Sequence, residues 1–198
     1  METNSEIAFR IFTGLLLCAA IATSGFFRSR ANRNRGRLPS NWRLILLRLL
    51  GLTAILPMFG YLIQPQWVEW ARFQVLPSIR WLAFLVALIC LAGLWSVLRA
   101  LGDNITPVEF TRSQHELVVD GPYRWIRHPL YTLGGLFWSC LGVTTALWPV
   151  TLGFLSVVFL LAFRVSREER ELEERFGDSY CQYKLRTGRF FPRLRWHL

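Results

Sequence analysis

The chain has 198 residues, 53% of them hydrophobic, and a formal net charge of +10 at pH 7. Its charged residues cluster between apolar runs of roughly twenty residues, the length that crosses a hydrocarbon layer, whereas a soluble helical bundle needs polar faces within such runs. This pattern predicts an all-α, polytopic integral membrane protein. It argues against a nucleic-acid-binding protein, because basic loops beside spans are the ordinary topology signal. The cysteines and histidines lack disulfide or metal-ligand spacing, so we predict neither a disulfide nor a metal site.

The N-terminal half contains three apolar runs. The first covers about residues 7–27 and is followed by an arginine-rich segment at 28–43. The charges that flank this run, acidic before it and basic after it, are the reverse of those in a signal peptide, so we expect a retained span. The second run covers about 42–63 and the third about 79–98. Between them, segment 64–77 is rich in tryptophan, which is typical of a membrane interface.

A long polar segment, 99–129, separates these runs from two more. The fourth run starts at Leu130 and the fifth ends near Val165, with "LWP" at 147–149 as the break. Together they hold about 36 residues, and two full spans need roughly 40. We therefore predict about five transmembrane helices, the last two forming a short hairpin. A cytoplasmic tail helix should follow at 164–176 and end at a glycine.

The arginine distribution predicts how the chain lies in the membrane. Segments 28–43 and 99–129 and the C-terminal tail are rich in arginine, and positively charged loops lie on the cytoplasmic side. We therefore expect a cytoplasmic membrane protein with its C-terminus inside and segment 64–77 outside. We also expect two units, N-terminal transmembrane helices over 1–98 and a C-terminal half over 99–198 that carries the functional site.

Two polar clusters flank the predicted hairpin. Residues 115–131 precede it, and Arg164, Glu168 and Glu169 follow it. Because a hairpin returns the chain to the side that it left, the clusters should meet at the cytoplasmic interface, with Arg164 and Glu168 on one helical face. Each residue alone has a simpler interpretation. Arg164 is typical of a snorkelling anchor, the glutamates of a solvated pair, and His128 of the residue before a helix that starts with proline.

The stretches "HELVVDGPYRWIRHPLY" (115–131) and "RVSREERELEERFGDSYCQY" (164–183), separated by an apolar hairpin, resemble the isoprenylcysteine carboxyl methyltransferase family and its bacterial relatives. Phospholipid N-methyltransferases are similar in the same region. The resemblance covers about residues 99–192. It implies a membrane methyltransferase that uses S-adenosylmethionine, releases S-adenosylhomocysteine and builds its cofactor pocket from this half of the chain, without a soluble Rossmann domain.

The resemblance also implies roles for individual residues. Arg164 matches the family's substrate-side arginine and is the candidate catalytic residue. Glu168 is the candidate cofactor-binding acid of the tail helix. By motif position, the other candidate cofactor-binding residues are His115, Glu116, Leu117, Val118, Tyr123, His128, Pro129, Leu130 and Tyr131.

The acceptor is expected to be a lipophilic small molecule that enters from the bilayer, with membrane lipids rather than nucleic acid as its surroundings. A carboxylate acceptor, such as an isoprenylcysteine, needs only a cation to orient it, and Arg164 supplies one. An amine or thiol acceptor must lose a proton, for which His128 and the glutamate pair are the candidates. N- or S-methylation of lipid amines or thiols therefore stays open. So do a non-catalytic scaffold and an NADPH-dependent sterol-type reductase, whose family carries a similar R-H-P-x-Y element.

Overall fold

The computed structural model describes residues 4–31, 42–102 and 117–193. These residues form six α-helices with two short 3₁₀ helices, Pro65–Ala71 and Gly121–Arg124, and within them β-structure is limited to two isolated bridges. The prediction of an all-α class is confirmed. In chain order the helices are α1 (Asn4–Ala31), α2 (Trp42–Ile63), α3 (Pro77–Leu101), α4 (Pro129–Thr145), α5 (Trp148–Phe176) and α6 (Asp178–Arg186).

Three of these helices are long and apolar enough to cross a membrane: Asn4–Phe27 within α1, all of α3, and α5. In the most apolar window of each, no more than 28% of the residues are buried inside the protein. Their apolar side chains therefore face outward, as those of a helix in lipid do. This is the arrangement of an integral membrane protein, and the count of about five spans stays a prediction.

The short C-terminal hairpin is formed by α4 and α5. With 17 residues, α4 is ~26 Å long at 1.5 Å per residue, less than the hydrocarbon thickness. It begins at Pro129, whose missing N–H is not needed in a first turn. It ends before Ala146, which has a left-handed backbone (φ 55°). A Cβ on Gly142 would lie 2.6 Å from the Thr151 backbone nitrogen, so the two helices can approach this closely only at a glycine.

The second helix of the hairpin extends well past its partner. With 29 residues, α5 is ~44 Å long. It joins the predicted fifth run and the predicted tail helix (164–176) into one element, because no glycine or proline interrupts the chain between Phe154 and Phe176. The predicted stop is correct: Gly177 has φ 53°, and its N–H donates to the Glu173 carbonyl (2.9 Å). Directly after it comes α6, which the sequence analysis did not predict.

The apolar core lies between helices α1 to α5. Its members are almost fully buried and come from every one of these helices, so each helix buries one face against its neighbours while the other face stays outward. The largest of them are Leu16, Leu17, Met58, Tyr61, Phe137, Leu141, Leu147, Val150 and Phe154.

Two ends of the bundle can be distinguished. At the far end, the α2–α3 connection meets the α4–α5 turn, where the Phe73 N–H donates to the Ala146 carbonyl (3.0 Å). The start of α1 lies there too. At the opposite end, the site end, lie the 3₁₀ helix Gly121–Arg124, the start of α4 and helix α6. The hairpin therefore opens toward the site end.

A buried ionic cluster holds the far end together. Arg80, which is 6% exposed, donates to Glu6 (Nη1 to Oε2, 2.8 Å), to the Thr144 carbonyl (2.8 Å) and to the Tyr61 hydroxyl (3.3 Å). Arg72 also pairs with Glu6. Groups of α1, α2 and α4 thus converge on one guanidinium group of α3. From the sequence, Glu6 is only a topology signal, and this contact was not predicted.

Candidate functional site

The two polar clusters meet at the site end, on one carboxylate. Tyr131, in the first turn of α4, donates from its hydroxyl to Oε1 of Glu168 on α5 (2.7 Å). The same oxygen accepts from Nε of Arg164 (3.0 Å), one helical turn earlier. All three side chains are partly buried. Because α4 and α5 are the arms of one hairpin, residues that are 37 positions apart in sequence lie within hydrogen-bond distance.

His128 lies beside this contact and is 8% exposed. It precedes α4 with a non-helical backbone (φ −120°, ψ 57°), as expected for a residue before proline. Its ring is stacked with that of Tyr131, with centroids 5.8 Å apart and planes within 4°. Burial lowers the pKa of His128 to about 4, although Glu169 opposes that shift. The imidazole is therefore neutral at pH 7.

The remaining described candidates lie at the start of α4 and in the segment that precedes it. Pro129 is buried and Leu130 exposed at the start of α4, and Leu117 and Val118 are half-buried. Tyr123 is in the 3₁₀ helix, where its carbonyl accepts the Tyr183 hydroxyl (2.7 Å), and burial raises the pKa of its own hydroxyl. The last two candidates fall outside the residues that the structure describes; these are His115 and Glu116.

Glu169 occupies a different environment from its neighbour Glu168. It is 3% exposed and accepts hydrogen bonds from Nε of Arg127 (2.9 Å) and Nε of Arg189 (3.1 Å). Nε2 of His128 lies 3.4 Å from its Oε1. In the sequence the two glutamates form one acidic pair. Adjacent helical residues point about 100° apart, so one carboxylate faces Tyr131 and the other faces the C-terminal segment.

That C-terminal segment, residues 187–190, follows α6 and is called the strap here. It runs parallel to residues 125–128, with a bridge between Ile126 and Gly188. The hydrogen bonds between the two segments run from Arg127 N–H to the Gly188 carbonyl (2.8 Å), from His128 N–H to the Arg189 carbonyl (3.1 Å) and from Gly188 N–H to the Trp125 carbonyl (3.2 Å). In addition, the Thr132 hydroxyl of α4 donates to the Phe190 carbonyl (3.1 Å). The strap was not predicted from the sequence.

The donors and acceptors of this end suit an organic ligand. One carboxylate, one guanidinium group and two parallel rings lie within a few ångströms of each other, a set that can bind hydroxyls, an anion and a flat or cationic group. In the described parts of the chain, no three His, Cys, Asp or Glu side chains are grouped so that they could hold a metal ion.

Comparisons with known proteins point to the same region. Residues 81–174 match the family model of the isoprenylcysteine carboxyl methyltransferase (ICMT) family. Protein-S-isoprenylcysteine O-methyltransferase of Tribolium castaneum is 29% identical over 149 residues, which are 69% of this chain and 52% of that protein. Cobalt-zinc-cadmium resistance protein CzcN of Cupriavidus metallidurans is 31% identical over 156 residues, which are 77% of this chain and 62% of that protein. The chain thus spans about half the length of the isoprenylcysteine methyltransferases that it matches.

A solved structure of the eukaryotic intramembrane Ras methyltransferase ICMT has the same fold, with a TM-score of 0.52 and 20% identity over 94% of this chain and 76% of that one. The resemblance inferred from the two motif stretches is therefore confirmed, and so is the integral membrane fold. The residues that match the family model include those of the Tyr131–Glu168–Arg164 contact and end before the strap.

Proposed function

We propose that this chain, whose residues 81–174 match the isoprenylcysteine carboxyl methyltransferase family, is a membrane methyltransferase that uses S-adenosylmethionine. The acceptor is a lipophilic small molecule, and carboxyl O-methylation of an isoprenylcysteine-like compound is the reaction that the residues suit best. The observation that carries the proposal is the convergence of Tyr131 and Arg164 on Glu168. It joins the two motif stretches of the family at one point between the arms of the hairpin.

The residues present fit the cofactor. When bound, S-adenosylmethionine supplies a methyl group carried on a positively charged sulfonium. The Glu168 carboxylate can accept hydrogen bonds from ribose hydroxyls, and the parallel rings of His128 and Tyr131 can contact a flat base or a cation. Because the pKa of His128 is about 4, its imidazole carries no positive charge at pH 7 and does not repel a sulfonium.

The properties of the site favour a carboxylate acceptor over an amine or a thiol. A carboxylate is already anionic, so it needs orientation rather than deprotonation, and the guanidinium of Arg164 can orient it through two parallel hydrogen bonds. An amine or thiol needs a general base, which works best with a pKa near the working pH. His128, with a pKa of about 4, is a weak base for that role.

The position of Arg164 also suits a lipophilic acceptor. It follows directly after the apolar stretch of α5, where Phe159 and Phe163 are exposed and in contact with each other (centroids 4.9 Å apart). An acceptor with an apolar tail in the bilayer and an anionic head at its edge would have its head beside Arg164. Holding the head near the cofactor lowers the barrier by positioning, since in-line displacement needs aligned reactants.

We place the site end on the cytoplasmic side. Helices α1 and α3 start at the far end, the arginine-rich segments 28–43 and 99–129 come at their C-terminal ends in sequence, and positively charged loops lie on the cytoplasmic side. Cysteine labelling from outside intact cells tests this orientation. Cys181, exposed on α6, should be protected in a variant that lacks the other cysteines, whereas Gln66→Cys, exposed at the far end, should react. Labelling of Cys181 from outside would overturn the orientation.

Ligand binding to the detergent-purified protein tests the proposed function. We expect S-adenosylhomocysteine to bind and NADPH not to bind in isothermal titration calorimetry, together with transfer of labelled methyl to an isoprenylcysteine analogue. Glu168→Gln should weaken binding about ten- to a hundredfold, since it removes a charged hydrogen-bond acceptor. Glu171→Gln is the matched control, because Glu171 is exposed on the same helix and pairs with Arg167.

The outcomes separate the competing functions. Binding of NADPH without S-adenosylhomocysteine would indicate a reductase. Binding of neither would indicate a scaffold. Unchanged affinity in Glu168→Gln would leave the methyltransferase proposal intact but move the cofactor away from this carboxylate.

A further inference from the structure

We propose that the strap is a wall of the cofactor site, and that Glu169 and Arg189 are positioning residues that hold it against His128. The inference rests on the proposed function and adds the strap to it, since residues 187–190 lie beyond the matched range 81–174. It is carried by the geometry that ties the strap to the start of α4.

The strap fixes the backbone of His128. In a helix that begins at Pro129, the N–H of the preceding residue has no partner within the helix. The His128 N–H instead donates to the Arg189 carbonyl (3.1 Å), and the Arg127 N–H donates to the Gly188 carbonyl (2.8 Å). The orientation of the stacked His128 and Tyr131 rings therefore depends on where the strap lies.

The Glu169 carboxylate holds the strap in place through hydrogen bonds with side chains. Its carboxylate accepts from Arg127, which precedes His128, and from Arg189, which belongs to the strap. Arg127 also donates to the Thr187 carbonyl. The carboxylate is 3% exposed and therefore withdrawn from water. Charge-assisted hydrogen bonds are stronger in such a protein interior than in water. A single buried acid on α5 thus joins both parallel segments.

The strap also brings an aromatic ring to the site. The centroid of the Phe190 ring is 6.0 Å from that of His128, and Phe190 is partly buried, whereas Phe191 is 76% exposed. A Cβ on Gly188 would overlap the Phe191 carbonyl oxygen, so the chain turns back on itself there. His128, Tyr131 and Phe190 together supply rings from the two segments to one region, which suits a ligand with a flat base or a cationic centre.

Arg189→Ala tests the role of the strap without leaving a buried anion unpaired, because Arg127 still neutralises the Glu169 carboxylate. Hydrogen exchange of the ligand-free protein should show faster exchange of the Arg127 and His128 amides in this variant. S-adenosylhomocysteine should bind about tenfold or more weakly, the equivalent of one lost charge-assisted hydrogen bond. Arg189→Lys should recover part of that affinity, since it restores the charge.

Two matched controls separate positioning from stability. Arg186→Ala removes an exposed arginine from α6 and should leave both exchange and affinity unchanged. Phe190→Ala should weaken S-adenosylhomocysteine binding several-fold, by about the loss of one ring contact, whereas Phe191→Ala should not. Melting temperatures of all variants, measured without ligand, show whether each remains folded.

The results also distinguish this inference from the proposed function. If the wild-type protein binds S-adenosylhomocysteine and Arg189→Ala and Phe190→Ala bind it with unchanged affinity, the strap is only structural and the inference is wrong while the function stands. If the wild-type protein does not bind the ligand, the proposed function fails and the inference fails with it. Faster exchange accompanied by weaker binding and rescue by lysine supports both.

Discussion

The Tyr131 hydroxyl lies 2.7 Å from Oε1 of Glu168, the same oxygen that accepts from Arg164. One carboxylate oxygen therefore receives a neutral and a charged donor at once. The contact spans the open end of the hairpin and links the residue proposed to bind the acceptor with the residues proposed to bind the cofactor. Loss of either donor should therefore change the position of the carboxylate that the other donor contacts.

Tyr131→Phe removes the hydroxyl from this contact and keeps the ring. We expect S-adenosylhomocysteine to bind about three- to tenfold more weakly, since a neutral hydrogen bond contributes about 0.5–1.5 kcal/mol and the Glu168 carboxylate becomes free to turn. Stacking with His128 should persist, so the melting temperature should stay close to that of the wild type. Calorimetric titration and thermal unfolding in one detergent measure both quantities.

The matched control for that variant is Tyr123→Phe. Tyr123 is in the neighbouring 3₁₀ helix, and its hydrogen bond with Tyr183 uses the backbone carbonyl rather than the hydroxyl. Its loss of a hydroxyl should therefore affect binding less than Tyr131→Phe does. A larger effect at Tyr123 would shift the cofactor toward the 3₁₀ helix and away from Glu168.

Arg164→Lys keeps the positive charge and loses the planar guanidinium. We expect the turnover of a carboxylate acceptor to fall at least about tenfold, because an ammonium group cannot make the two parallel hydrogen bonds that orient a carboxylate. The affinity for S-adenosylhomocysteine should change by less than about threefold, since lysine can still pair with Glu168. Methyl transfer and calorimetry, measured on the same preparation, provide the comparison.

Arg167→Lys is the control, since Arg167 is exposed on the same helix and pairs with Glu171. It should leave turnover unchanged. An interfacial anchor tolerates lysine as well as arginine, so wild-type turnover by Arg164→Lys with every acceptor would return Arg164 to an anchoring role. A loss confined to amine or thiol acceptors would point instead to a mechanism that depends on a base.

The burial of His128 predicts how stability depends on pH. Its pKa in the folded protein is about 4, below the ordinary value of about 6.5. Between these values the unfolded chain binds a proton that the folded protein does not bind, so stability falls as the pH is lowered through this window. From pH 7 to pH 5 the loss should be about 2 kcal/mol. Glu169, Arg127 and Arg189 face the imidazole and contribute to this balance.

His128→Gln removes the titrating group and keeps a neutral polar side chain. Its melting temperature should therefore fall less between pH 7 and pH 5 than that of the wild type. Thermal unfolding at half-unit pH intervals measures the two slopes. Equal slopes for the two proteins would show that His128 titrates near its ordinary pKa.

The sequence predicted those features that follow from patterns along the chain. Apolar run lengths predicted a helical membrane protein, and Gly177 marked the end of α5. The meeting of residues 115–131 with Glu168 followed from topology alone, because a hairpin returns to the side where it began. The start of α4 was placed at Leu130, one residue after its actual start at Pro129, a normal error for helix boundaries.

Contacts made by residues far apart in sequence could not be predicted in this way. Glu6 and Arg80 are 74 positions apart, and each is an isolated charge at the edge of an apolar run, the usual signature of an anchor. Arg189 belongs to a tail with many arginines, and nothing in its spacing distinguishes the one that reaches Glu169. Both contacts depend on tertiary packing, which a local pattern does not encode.

The Glu6–Arg80 pair should dominate the stability of the far end. Both side chains are buried, and Arg80 also donates hydrogen bonds to the Thr144 carbonyl and the Tyr61 hydroxyl. Removing one partner of a buried ion pair leaves an uncompensated charge, which typically costs about 3–5 kcal/mol. Arg72 also pairs with Glu6 but is more exposed, so water can solvate it when the pair is broken.

Glu6→Gln should therefore reduce the free energy of unfolding by about 3–5 kcal/mol and lower the melting temperature in detergent. Arg72→Gln loses a more exposed partner and should reduce the free energy of unfolding by about 1 kcal/mol or less. Glu6→Gln combined with Arg80→Met should recover much of the loss, because no buried charge remains without a partner.

Since the cluster lies at the end opposite to Glu168, the folded fraction of each variant should bind S-adenosylhomocysteine with wild-type affinity. Equal melting temperatures for Glu6→Gln and Arg72→Gln would show that the buried pair does not dominate, and weaker ligand binding at full folding would show that the two ends are coupled.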